Sequence, residues 1–274
     1  MYPFLPKKAW AIQKPGSDSL YYLFHSTVDN PPDFTESHFL YYSVIDISTN
    51  NGLGEVISKN NIAITDIMNG GKIAATKHGN GRDWWIVNHK AYSNKFYVSL
   101  LTPNGVVQNN SYDTGPLLTY FDISEGQSEF SPDGSLFAMA YNTHNSVYLF
   151  DFDRCSGIIS YRDSVHIIPN DANEWPVWGC TFSPNSRYLY ANTNNDLIQF
   201  DTWSPTLTAG MKMVGQHSGS TKYFFRNRLG PDGKIYGVSW GSELTMNVIN
   251  NPDDNDTLCN FVQDQQQLVS YHGT

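Results

Sequence analysis

Phe130-Ser131-Pro132-Asp133-Gly134 returns as Phe182-Ser183-Pro184-Asn185-Ser186 and again as Leu229-Gly230-Pro231-Asp232-Gly233, each copy opening an alternating, aromatic-rich run. The copies are spaced by 52 and 47 residues, near the period of about 40–50 residues at which four-stranded propeller blades repeat. A unit of that size is one small twisted sheet, and it buries both faces only by stacking against its neighbours. The repeat therefore predicts an all-β chain of WD40-like antiparallel blades, a β-propeller.

Within each unit, short period-2 runs rich in Tyr, Phe, Val and Ile are bounded by Gly, Pro, Asn and Asp, the pattern of strands and hairpins. No segment sustains a helical period. The third unit reads as strands at Gln127–Phe130, Leu136–Tyr141, Ser146–Asp151 and Ile158–Tyr161. The fourth reads as Trp178–Phe182, Tyr188–Asn192, Leu197–Asp201 and Met211–Val214, and the fifth as Phe224–Arg228, Lys234–Val238, Leu244–Ile249 and Cys259–Val262. Two earlier units are parallel: Ile73–Lys77, Asp83–Asn88, Lys95–Leu101 and Val106–Asn109, preceded by Trp10–Gln13, Leu20–His25, Phe39–Ile47 and Glu55–Ser58. Five blades follow, over residues 8–60, 62–112, 124–168, 175–215 and 222–265 of a single domain, 1–274. Ser26–His38 is expected as an insertion loop. In the repeated turn, Pro presets φ and Gly supplies the positive φ that closes the hairpin; Ser186, in the place of that Gly, predicts a looser turn in the fourth blade.

The balance of charge narrows the partners. The chain of 274 residues carries a net charge of −9, and only 16% of its residues are charged. Nucleic-acid binding through phosphates needs clustered Lys and Arg, and no basic run exists, so nucleic acid is not an expected partner. No apolar stretch reaches the roughly 18 residues of a membrane span, so no membrane insertion is expected, and the first residues lack the layout of a signal peptide. Cys155, Cys180 and Cys259 are isolated, without metal-ligand spacing, and are expected as packing residues.

The wording of the strands carries a resemblance. Gln13-Lys14-Pro15-Gly16, Tyr42-Ser43-Val44-Ile45-Asp46, Lys77-His78-Gly79-Asn80-Gly81-Arg82-Asp83-Trp84-Trp85, Leu149-Phe150-Asp151-Phe152-Asp153 and Leu229-Gly230-Pro231-Asp232-Gly233-Lys234-Ile235-Tyr236 span nearly the whole chain. Together they are similar to the propeller region of secreted Bacteroidetes proteins that bear gliding-motility-associated or type IX secretion sorting domains at their C-terminus. The resemblance implies an extracellular or cell-surface location and a fragment of a larger ring of about seven blades. It brings no set of catalytic positions with it.

Chemistry is less legible than architecture. GxSxG, SxxK, HExxH and P-loop patterns are absent, and nothing calls for a cofactor. Asp151 and Asp153 would share one side of a strand, but they read as the end of a strand capping the next turn. Asp253-Asp254-Asn255-Asp256 lacks the Gly and Glu of a calcium loop and reads as a solvated turn. His78 and His89 flank a hairpin without metal spacing. No catalytic or metal residue is assigned.

Geometry gives one candidate surface. Loops joining the second and third strand of every blade emerge on one face, and they hold His25, His89 and Tyr92, Asn142 and His144, Asn192 and Asn194, and Trp240 and Glu243. Such a rim of rings and amides suits a polar glycan, peptide or protein ligand. The expected function is thus a non-catalytic recognition or display module. The alternative is a propeller lyase or lactonase-type hydrolase, whose catalytic groups are dispersed singly over several blades and leave no local motif.

Overall fold

The computed structural model describes residues 9–26, 37–119, 126–168, 177–217, 224–239 and 243–272. The described residues are all-β apart from three short 3-10 turns. Seven strands form one sheet in sequence order: β1 (Ala9–Gln13), β2 (Leu20–Ser26), β3 (Ser37–Asp46), β4 (Glu55–Lys77), β5 (Trp84–Lys90), β6 (Lys95–Thr102) and β7 (Gly105–Asp113). Three four-stranded sheets follow. They are β8 (Ser128–Phe130), β9 (Leu136–Tyr141), β10 (Ser146–Asp153) and β11 (Ile158–His166); β12 (Gly179–Phe182), β13 (Tyr188–Asn192), β14 (Asp196–Asp201) and β15 (Met211–Gln216); and β16 (Phe224–Leu229), β17 (Ile235–Ser239), β18 (Glu243–Ile249) and β19 (Phe261–His272). All pairings are antiparallel between sequence neighbours.

The first two predicted blades share a strand. β4 is one run of 23 residues; its first part pairs with β3 and its last part with β5. Reading them as separate strands missed residues 59–72, where Ile62 and Ile64 continue the alternation and no Pro interrupts it. The pairing with β5 shifts register between Met68 and Ile73, inside the strand. Cys259 likewise belongs to a 3-10 turn, Asp256–Cys259, ahead of β19. The predicted insertion, residues 27–36, lies outside the described residues.

By its contacts the chain divides into two compact units, Met1–Glu125 with Phe152–Ser160, and Gly126–Asp151 with Tyr161–Thr274. In the first, Ile12, Phe24, Leu40, Met68, Ile73, Ile86 and Leu101 form the core. Arg154 is integral to this unit: its carbonyl accepts from the Gly79 amide (2.8 Å) and from Trp85 Nε1 (2.8 Å), and its Nε donates to the Lys77 carbonyl (2.8 Å).

The second unit shows why blades need neighbours. β13 reads Tyr188-Leu189-Tyr190-Ala191-Asn192 and is buried throughout. Leu189 and Ala191 pack with Ala138, Leu149, Ile198 and Phe200, while Tyr188 and Tyr190 pack on the opposite face with Phe224, Ile235 and Ile249. Both faces of one strand are therefore core, at about 1.5–3 kcal/mol for each large side chain buried. Cys180 and Cys259 are buried in these two layers, whereas Cys155 is exposed; all three are free thiols.

At one end of the blades the repeated turns are stapled by their own side chains. Asn80, Asp133, Asn185 and Asp232 each accept, through a side-chain oxygen, from the backbone amide two residues on (3.0, 3.0, 3.0 and 3.2 Å), the Asx turn. Burial by itself would raise the Asp133 carboxyl, but hydrogen bonds from Ser131 and Ser135 outweigh it and hold the group below its ordinary range. Ser186 corrects the sequence expectation of a looser turn. It adopts φ of 66°, the conformation of Gly134 at 73°, and closes the same turn (Ser186 N to Ser183 O, 2.9 Å; Gly134 N to Ser131 O, 2.8 Å). Its hydroxyl accepts from the Asp133 amide of the preceding blade at 3.1 Å, a bond no glycine makes. Asp153 similarly caps its turn, accepting from the Cys155 amide (2.8 Å) and the Ser156 hydroxyl (2.6 Å).

Candidate functional site

The opposite end of the blades is chemically different. In the second unit, the three inner strands β8, β12 and β16 enter the same kind of turn, with the Ser131, Ser183 and Gly230 amides donating to the Leu136, Tyr188 and Lys234 carbonyls at or just before the start of the next strand. Counting back from these residues puts Gln127, Gly179 and Arg226 at equivalent positions, and Glu129, Thr181 and Arg228 two residues later on the same side of their strands. A carboxylate and two guanidinium side chains thus come from strand positions that share no sequence motif.

These positions are tied together by amides. Gln127 Nε2 donates to the Asn227 carbonyl (2.9 Å) and to Glu129 Oε2 (3.3 Å). Asn227 Nδ2 donates to Asn192 Oδ1 (2.7 Å), and Asn192 Nδ2 reaches the Phe225 carbonyl (3.3 Å). Gly179 permits this closeness, since a Cβ there would lie 2.6 Å from Asn192 Oδ1 and 2.9 Å from the Phe225 carbonyl. Trp178 and Phe225 pack with ring centroids 5.5 Å apart, Trp178 Nε1 donates to Asn194 Oδ1 (2.6 Å), and the Arg226 guanidinium stacks on Phe225 at 5.0 Å.

Among the described residues of this unit, Gln127 Oε1 and Asn142 Nδ2 are buried and have no hydrogen-bond partner. Both lie at the end of the blade away from the stapled turns. Native proteins leave few such groups unpaired, so their gathering at one end marks it as the candidate site.

The rim residues read from sequence distribute unevenly. In the first unit, His89 belongs to β5 and is 1% exposed, so it is interior, not a loop residue; its Nδ1 pairs with Asn69 Nδ2 at 2.7 Å. Burial first, and the nearby Lys72 charge second, depress its pKa to about 3, holding the ring neutral. His25 is the penultimate residue of β2, stacked on Tyr41 at 5.7 Å, its pKa lowered by burial. Tyr92 is exposed with φ of 54°.

In the second unit, Asn142 and His144 form a 3-10 turn, and the His144 carbonyl accepts from the Ser146 hydroxyl (2.7 Å). Asn192 is a fully buried β13 residue and Asn194 is bound to Trp178, so both support the interior. Glu243 begins β18, and Trp240 lies outside the described residues. Sequence reasoning missed Gln127, Glu129 and Arg226, because it searched loops while Glu129 and Arg226 stand on the inner strands β8 and β16 and Gln127 immediately precedes β8. The alignment of the three repeated turns was the signal that locates them. Among the described residues no cluster of His, Cys, Asp and Glu is placed to hold a metal ion.

No family model and no curated protein matches the sequence. The fold is that of a β-propeller: the chain is similar to the β-propeller domain of Cps50 (Swd1) from Myceliophteria thermophila, at 11% identity and a TM-score of 0.51, covering 88% of this chain and 64% of that one. It is also similar to a proposed 6-phosphogluconolactonase from Bacteroides uniformis (17% identity, TM-score 0.55, 95% and 71% covered). A third likeness is the periplasmic gluconolactonase of Pseudomonas aeruginosa (13% identity, TM-score 0.52, 91% and 68% covered). These last two overturn the expectation of a non-catalytic module. That expectation rested on the absence of a local catalytic motif, and folds of this architecture carry lactonase names.

Proposed function

We propose that the chain is a propeller-type hydrolase that opens a sugar lactone, with its chemistry at the inner-strand end of the second unit. The observation that carries this reading is the Gln127 amide, which ties the Glu129 carboxylate to the β16 backbone at Asn227, beside Arg226. Support comes also from the lactonase names among similar folds.

Lactone hydrolysis needs a base for water and a fixed charge for the oxyanion. Glu129 takes a proton from water as the water oxygen attacks the ring carbonyl carbon. Arg226 stabilises the tetrahedral oxyanion, and its stacking on Phe225 fixes the guanidinium in advance. The ring carbon–oxygen bond then breaks, the leaving alkoxide recovers the proton from Glu129, and the open hydroxy acid releases its own proton to solvent. No nucleophilic side chain is required, in keeping with the lack of Ser or Cys motifs.

Purified protein incubated with gluconolactone should release acid faster than the buffer reaction, measured at constant pH. Glu129→Gln and Arg226→Met should each lower kcat/KM by about 100-fold or more. Acid release at the buffer rate by the wild-type protein would end this reading.

A further inference from the structure

Gln127 is 7% exposed, and both hydrogens of its amide side are engaged by acceptors: the Asn227 carbonyl at 2.9 Å and Glu129 Oε2 at 3.3 Å. Flipping the amide would set its oxygen against those two oxygens, so the orientation is fixed by its neighbours. Oε1 is left buried and without a donor. An unpaired buried carbonyl is costly, and this one belongs to the side chain that also holds Glu129.

We propose that Gln127 Oε1 is the acceptor for a hydroxyl group of the bound ligand, so that Gln127 sets the preference for hydroxylated over bare lactone rings; the second clause rests on the lactonase reading above. The atom can only accept. A hydroxyl hydrogen satisfies it, whereas a deprotonated carboxylate or phosphate brings a further acceptor and is repelled. Because the same side chain donates to Glu129, seating the correct hydroxyl also fixes the base. A site built to pair a ligand hydroxyl rejects the analogue without one, since the carbonyl is then left buried and unmet.

The test compares wild type with Gln127→Met on gluconolactone and on a lactone of the same ring size bearing no hydroxyls, together with sorbitol binding by calorimetry. The expected result is a fall of about tenfold or more in the ratio of the two kcat/KM values, with sorbitol binding weakened to a similar extent. If both rates drop by one common factor, Gln127 only positions Glu129 and the proposal fails, while the lactonase reading stands. If wild type opens neither lactone but binds sorbitol, and Gln127→Met weakens that binding, the lactonase reading fails and the hydroxyl acceptor stands. A wild type that neither binds sorbitol nor prefers the hydroxylated ring overturns the proposal. Should Gln127→Met melt early through its lost bonds to Asn227, wild type is assayed on singly deoxygenated lactones. One member of the series should lose about tenfold in kcat/KM, and a flat series overturns the proposal.

Discussion

In the third blade, the Asp133 carboxylate accepts hydrogen bonds from the Ser131 hydroxyl, the Ser135 amide and the Ser135 hydroxyl. At the other end of the same strands, Gln127 Oε1 accepts none and Asn142 Nδ2 donates none. The first unit repeats the contrast. Asn80 is saturated within its turn, accepting from the Arg82 and Asp83 amides, whereas the side-chain oxygens of Asn69 in β4 and Asn88 in β5, farther along the strands, are buried and unmet. In these two places one end of the strands spends its polar groups on holding the chain, while toward the other end some are left unpaired, and native folds leave few such groups unmet.

The largest effect on stability should come from the less fully paired end of the first unit. The His89 ring is neutral in the fold down to about pH 3, while in the unfolded chain it protonates near pH 6.5. Between those values the unfolded state binds the extra proton, so stability is full above pH 6.5 and falls as the pH drops toward 3, by up to about 1.4 kcal/mol per pH unit. His89→Gln should flatten the slope of stability against pH over this window in urea titrations. An unchanged slope would mean that the ring is not held neutral.

Gly179→Ala addresses the close approach of β12 to β16. Its Cβ would meet the Asn192 side chain, the Phe225 carbonyl and the Arg226 Cα, the last at 3.1 Å, and two of these neighbours are backbone. Thermal melting should show Tm lower by roughly 3–8 °C. A Tm equal to the parent would show that the inner strands can move apart, and would loosen the site geometry with them.

The smallest effects belong at the stapled end. Ser186→Ala keeps the unfavourable φ and loses the bond to the Asp133 amide, and should cost about 1 kcal/mol. Ser186→Gly loses the same bond but relieves the backbone, so it should lie within about 0.5 kcal/mol of the parent. Denaturant titration separates the two, and the reverse order would mean that the hydroxyl bond contributes nothing.

Much of this architecture was legible because turns are local. Pro, Asp and Gly at fixed offsets dictate a hairpin whatever surrounds them, which is why the strands of the last three blades begin within two residues of the predicted ones, although β11 and β19 run well past their predicted ends. Glu55–Lys77 was read as two strands, Glu55–Ser58 and Ile73–Lys77, and it is pairing with β3 and β5 along its two parts that keeps it whole. Ser186 was misread because its compensating partner, Asp133, is 53 residues away.

The candidate site was less legible for the same reason. His89 and Asn192 sit in sequence where a loop begins, yet packing draws both inside. Glu129 reads as an ordinary strand residue, and its tie to Gln127 and from there to Asn227 spans 100 residues between Gln127 and Asn227. The sequence alone determined the repeat, the antiparallel blades and their turns, because each depends on residues near one another along the chain. Only the tertiary structure decided which amides are spent and which are held back, because a hydrogen bond is counted as made or missing only once distant strands have come together.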